Sequence, residues 1–227
     1  RSPFPVRQTM SSNELQAPSP TVRKALEKAR KMRSLEPLWD LPDPGEVIPT
    51  LPAQDLYVIL KTVGLTDATD FLALASPTQL RACMDFDCWN KDRLILPVTL
   101  DWIRAIGNLG FQELGTVLDK LDSEIPALFL NKSVFIFNRK EVEPPEDGDI
   151  PFYQTPDTFF ELQPKNGQAD DVWRSTVMLL EHMYRFNQDL ARKMLTDAQW
   201  DLPLQLEERA YKWRTDRMEE EGFWDYL

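Results

Sequence analysis

Histidine, cysteine and glycine are scarce in this chain, and each shortage removes a class of chemistry. There is one histidine, His182, in 227 residues. A Cys–His or Ser–His–Asp apparatus would have to use it, yet it stands beside Glu181 on a helical stretch with no nucleophile motif nearby. We read it as a structural histidine. One His and two Cys fall short of the usual set of about four ligands in a structural zinc site. The eight glycines form no Gly-rich phosphate loop. No apolar run approaches the length that spans a bilayer, and no basic start, apolar run and small-residue cleavage site mark a signal peptide. The chain therefore reads as soluble and cytoplasmic. Cys83 and Cys88 straddle a helix end and read as reduced, partly buried thiols rather than a disulfide.

What is abundant is negative charge, unevenly spread. The net charge is −11, but residues 1–33 carry eight Lys/Arg against two Glu, a net +6, and the remainder carries −17. A body this acidic repels the phosphates of nucleic acid and anionic lipid, so only the N-terminal segment could meet either. Complementary charge favours docking of that segment onto the acidic body or onto a partner copy. Seven tryptophans suit thick helix–helix interfaces.

The hydrophobic pattern predicts a mainly α protein of short, stacked antiparallel helices, a superhelix-like array, with a small two-strand β ribbon. Residues 1–20 are Pro- and Ser-rich without periodicity and read as a flexible arm. A helix follows with Thr21 as its N-cap and Val22, Ala25, Leu26, Ala29 and Met32 on one face. Pro37 and the LPDPG run predict an irregular link to Pro52. A helix beside Pro52 ends at Gly64, Thr66 caps the next, and Ser76-Pro77 is a strong start signal. Further helices begin at Pro97 and Phe111. Residues 133–138 (SVFIFN) and 158–163 (TFFELQ) are dense in β-branched and aromatic residues and read as strands, with an acidic Pro-rich loop between them. Residues 170–195 are helical with a break near 186–189, and a last helix runs over 204–221. The expected division is 1–36 (arm and basic helix), 37–132 (helical array) and 133–227 (ribbon, then helices packing on the array). The apolar end GFWDYL leads us to expect further chain beyond Leu227.

Two segments could carry binding chemistry. Asp85, Asp87 and Asp92 lie in DFDCWNKD at a helix end and could offer oxygen ligands to Mg²⁺ or Ca²⁺. The segment is not an EF-hand, because Asn90 and Leu96 stand where that loop needs Gly and Glu. The competing reading makes the aspartates helix caps and partners of Lys91 and Arg93, with Trp89 plugging the core. In the last helix, Glu207, Tyr211, Arg214 and Arg217 could present a face to a partner, the arginines gripping an anionic group through paired contacts. Intrahelical ion pairs worth a few tenths of a kcal/mol are the plainer account.

The runs LPDPGEVIPTLPAQDLYVILKTVG, DFDCWNKDRL and EERAYKWRTDRMEEEGFWDYL resemble an uncharacterised bacterial family, a domain of unknown function found mainly in deltaproteobacteria. The resemblance covers most of residues 38–227 and implies no catalytic residues. Residues 51–122 are also similar to the helical N-terminal domain of MgtE-type magnesium transporters, which implies a superhelix with acidic cation-binding positions; no membrane domain accompanies it here. These observations lead us to expect a non-enzymatic α-helical interaction or regulatory module that binds a protein partner or the rest of its own chain. The alternatives are a divalent-cation-responsive regulatory module and a carboxylate-using enzyme on a helical scaffold.

Overall fold

The structure, a computed structural model, describes residues 18–121, 124–142, 150–165 and 169–220. Most of the expected arm, the acidic loop at 143–149 and the apolar end at 222–227 lie outside the described residues. Twelve α-helices and five short strands occur among the described residues, so the fold is mainly α, as the pattern predicts. None of these helices is long and apolar enough to cross a membrane.

The first helix, α1 (Pro20–Met32), starts two residues earlier than expected. Pro20 lacks an N–H and suits the first helical position, which leaves Ser19 to accept from the Val22 N–H. Its buried face is Ala25, Leu26 and Ala29, whereas Met32 is exposed. The docking expected from charge is present, but apolar contact carries it. α1 packs on α4 (Ala53–Val63), and a single ion pair, Arg30 to Asp55 at 2.6 Å, spans the two. The link to Pro52 is more ordered than the LPDPG run suggests. It holds two single-turn helices, α2 (Glu36–Trp39) and α3 (Pro44–Val47), and a 3₁₀ turn at Ile48–Thr50. Each has a proline in its first turn, where the missing donor costs nothing.

Gly64 ends α4 as predicted, but Thr66 caps nothing. The next helix, α5 (Thr69–Leu72), is one turn long and lacks a side-chain cap. α6 (Pro77–Asp87) carries the predicted Ser76-Pro77 start as a full capping box with Gln79. The Gln79 amide also donates to the carbonyls of Ile48 and Leu51, which ties α6 to the preceding link. Beyond α6, the expected helix-end loop is a tight hairpin, β1 (Trp89–Asn90) with β2 (Arg93–Leu94). Lys91 takes a positive φ of 57° at its turn, the backbone that two-residue hairpins require.

Next come α7 (Leu96–Gly107), α8 (Phe111–Asp119) and α9 (Glu124–Ser133). The two predicted strands are β3 (Val134–Asn138) and β5 (Phe160–Pro164), paired antiparallel from Val134↔Pro164 to Asn138↔Phe160. The ribbon has a third strand that periodicity did not reveal: β4 (Tyr153–Gln154) on the other edge of β5. α10 (Asp170–Phe186) and α11 (Gln188–Trp200) break where expected, at Asn187, whose side chain caps α11. The last helix, α12 (Pro203–Glu220), folds back to pack on α9, α6 and β2. One core cluster runs from Ala25 to Ala210, with Trp102, Phe71 and Phe129 among its largest fully buried side chains. α8 and α10 approach so closely that a Cβ on Gly115 would stand 2.1 Å from the Phe186 ring. That contact sets α10 against α8, and α10 carries half of the cleft lining described next.

Candidate functional site

The two segments singled out in the sequence meet each other. Asp85 lies on the buried face of α6, and its carboxylate accepts from Arg217 Nε and Nη2, both at 2.8 Å. The Asp85 carbonyl accepts from Arg214 Nε at 2.7 Å. Leu206, Ala210, Arg214 and Met218 follow helical spacing on the buried face of α12, so both arginines point inward. The Arg214 guanidinium lies 5.9 Å from the centre of the Trp89 ring, and Trp89 meets Tyr211 at 6.1 Å. Burial pulls the Arg214 guanidinium below its ordinary pKa, with Asp85 opposing. Glu207 accepts from the Leu94 N–H and from Lys132 Nζ at 2.9 Å. The four residues expected to face a partner thus bind α6, the hairpin and α9 of their own chain. The anionic group taken by paired contacts is Asp85.

The three aspartates do not gather. Asp87 turns to α4 and α7, accepting from Tyr57 Oη, Lys61 Nζ and Trp102 Nε1. Asp92 is exposed at the hairpin turn. Among the described residues no group of three or more His, Cys, Asp or Glu is placed to hold a metal ion. Neither Lys91 nor Arg93 partners Asp85 or Asp87; partners distant in sequence do, and Trp89 is buried as a core plug. Cys83 and Cys88 are buried thiols without a disulfide. Burial pushes the Cys88 thiol far above its usual pKa, a hydrogen bond with Thr99 opposing and the Asp87 charge adding to it. A thiol held protonated is a poor nucleophile.

A second arrangement escaped sequence reasoning. Between β4 and the C-terminal half of α10 lies an open cleft of about 820 Å³. Tyr153 and Gln154 line it from the strand side, and Glu181, His182, Tyr184 and Arg185 from the helix, with Gln188 at the start of α11. Behind the lining, Asp157 ties Tyr184 to the turn that follows β4. That carboxylate accepts from Tyr184 Oη at 3.0 Å, Arg192 Nε at 2.6 Å, Thr155 Oγ1 at 2.6 Å and the Phe159 N–H at 3.1 Å. Burial works to raise the Asp157 pKa, but these four donors outweigh it and hold the group at about 2. The adjoining Thr158 has a φ of 61°, an uncommon backbone for a β-branched residue. Burial first, then the Glu181 charge, pushes the Tyr153 phenol up to about 12. Burial likewise raises the Tyr184 phenol.

His182 does have a structural contact, its Nε2 standing 3.2 Å from the Gly107 carbonyl. The same ring lines the cleft, and its buried Nδ1 has no hydrogen-bond partner among the described residues. The one available signal in the sequence was the spacing of Glu181, His182 and Arg185, which puts them on one side of a helix. The opposing wall, β4, is too short to carry a pattern.

The third feature is apolar. Trp200 at the end of α11, Leu202 in the link and Leu204 in the first turn of α12 are each between 63% and 66% exposed. Flanking ion pairs, Arg209 with Asp201 and Lys193 with Asp197, give the patch a charged border.

No curated protein and no solved structure matches this chain. A protein-family model does match, over residues 11–227, and its description is that of a family of unknown function, DUF6178. The match takes in the hairpin, the cleft and the α11–α12 corner alike, and by its extent the chain belongs to that family.

Proposed function

We propose that this protein is a non-enzymatic α-helical interaction module, and that the corner between α11 and α12 is the surface it offers to a protein partner. The observation that carries this reading is the triplet Trp200, Leu202 and Leu204, three large apolar side chains about two-thirds exposed within five residues. Isolated exposed apolar residues are ordinary, whereas a contiguous group with a polar border is the usual mark of an interface. Tryptophan is the side chain most enriched at the energetic centre of such contacts. The partner that fits is a protein with an apolar pocket able to take the indole. Residence in the bacterial cytoplasm agrees with this reading, and the two buried thiols support it.

Divalent-cation regulation is the less favoured account, because Asp85 and Asp87 are held by Arg217, Lys61 and Trp102. The test is a triple variant, Trp200→Ser, Leu202→Ser and Leu204→Ser, in the full chain. Association is measured with a partner isolated from the native cell, purified and recombined. The variant should remain folded by circular dichroism and lose affinity by on the order of 100-fold or more. Unchanged affinity would remove the corner from the function, and turnover of a substrate would remove the non-enzymatic reading.

A further inference from the structure

We propose that the cleft between β4 and α10 is a binding site for a small zwitterion, a ligand with one ammonium and one carboxylate on a short frame, such as an amino acid or a short peptide. Its volume of about 820 Å³ lies in the range of small-molecule sites, roughly 300–1,000 Å³.

The lining carries one charge of each sign from α10, Glu181 and Arg185. A Glu followed four residues later by a cation is the order in which helical ion pairs form best. Neither side chain takes part in an ion pair among the described residues. Arg185 instead lies over the Phe111 ring, 4.7 Å from its centre, which holds the guanidinium without neutralising it. A carboxylate and a guanidinium are thus left available in one concavity, the first for an ammonium and the second for a carboxylate.

The remaining polar side chains of the lining are the amides of Gln154 and Gln188, the phenols of Tyr153 and Tyr184 and the His182 imidazole. A ligand with a single anionic group would meet Glu181 and the negative field of a −11 chain. One with a single cationic group would meet Arg185. A net-neutral ligand carrying both charges satisfies each. The wall it would rest on is already ordered, because Asp157 ties Tyr184, Arg192 and the Thr155–Phe159 turn together. Such prior order lowers the entropy cost of binding.

The test uses the full 227-residue chain labelled with ¹⁵N, titrated with free glycine and phenylalanine, with the dipeptide Gly-Phe, and with the N-acetylated and the amidated form of each. Zwitterions should shift the amides of Tyr153, Gln154 and the segment 181–188. Blocking either end should weaken binding about tenfold or more. Glu181→Gln should cost the zwitterion about 10–100-fold without weakening the N-acetylated form, which loses a repelling carboxylate, and Arg185→Gln should do the same with the amidated form, which loses a repelling guanidinium. Tighter binding of the dipeptide assigns the site to peptides, and tighter binding of the single residues to free amino acids. Both variants lie at exposed positions, away from the α11–α12 corner, so partner association should persist in them. The proposal is overturned if no zwitterion shifts the cleft amides at about 10 mM, if blocked forms bind equally well, or if Glu181→Gln and Arg185→Gln leave the affinity unchanged.

Discussion

Two aspartates, Asp85 and Asp157, are each buried beside an arginine, and they do different work. At Asp85 both partners are sealed: its side chain is 2% exposed and that of Arg217 9%. At Asp157 the carboxylate is 3% exposed but its Arg192 partner is 33% exposed and reaches water. The first pair joins two helices far apart in sequence, α6 and α12. The second collects donors from a turn, α10 and α11, one of which, Tyr184, lines the open cleft. A charge buried on both sides cannot be rehydrated when its partner is lost, whereas a half-exposed arginine can turn to solvent. The difference separates a contact that closes the fold from one that shapes a surface.

The largest effect should come from breaking the sealed pair. Asp85→Ala leaves Arg217 charged and buried and should cost about 3–5 kcal/mol of unfolding free energy in denaturant titrations. Replacing both partners, Asp85→Leu with Arg217→Met, should return part of that loss, since Arg217 is then no longer a buried charge, although the buried Arg214 still loses the Asp85 charge. If the double variant is as unstable as the single one, the pair does not act by cancelling charge.

A middle effect should come from Gly115→Ala. Its new Cβ would collide with the Phe186 ring and force α8 and α10 apart, at about 1–3 kcal/mol. Because α10 bears the cleft, the amide resonances of residues 181–185 should move with the loss of stability; unchanged resonances would separate the cleft from the packing beneath it.

Asp157→Asn should be the mildest, about 1 kcal/mol near neutral pH once solvent at Arg192 is allowed for. Its signature is pH dependence. The folded pKa of about 2 lies below the unfolded value of roughly 3.9, so the Asp157 contribution is complete above the unfolded pKa. It is lost as pH falls through the folded one. The denaturation midpoints of the wild type and Asp157→Asn should differ constantly from pH 7 to about 5 and converge between about 4 and 2. A difference independent of pH would show that shape, not charge, carries the contribution.

Legibility in the sequence followed the range of the forces involved. Helix starts with a local cause were readable: Ser76-Pro77 with Gln79, and Asn187 at the α10–α11 break. So were β3 and β5, whose residues are strand formers whatever they pair with. One start slipped, from Thr21 to Ser19, because Pro20 takes the first helical position there. β4 was invisible because two residues hold no period, and only the free edge of β5 makes them a strand. For the candidate sites the sequence offered residue types but not their partners. Arg214 and Arg217 read as a face for an anionic group or as members of intrahelical ion pairs, whereas the carboxylate that Arg217 grips is 132 residues away in the same chain.

The chain by itself determined a mainly α protein with scarce catalytic residue types and a basic segment ahead of an acidic body. Composition and short-range periodicity are properties of neighbours along the chain, and they need no fold to act. Only the tertiary structure decided that Asp85 pairs with Arg217 across α6 and α12, and that His182, Glu181 and Arg185 share a concavity with Tyr153. The same holds for Trp200, Leu202 and Leu204, which sequence gives no reason to place on the surface. Burial and long-range pairing depend on which faces meet, and that is settled by packing the whole core at once.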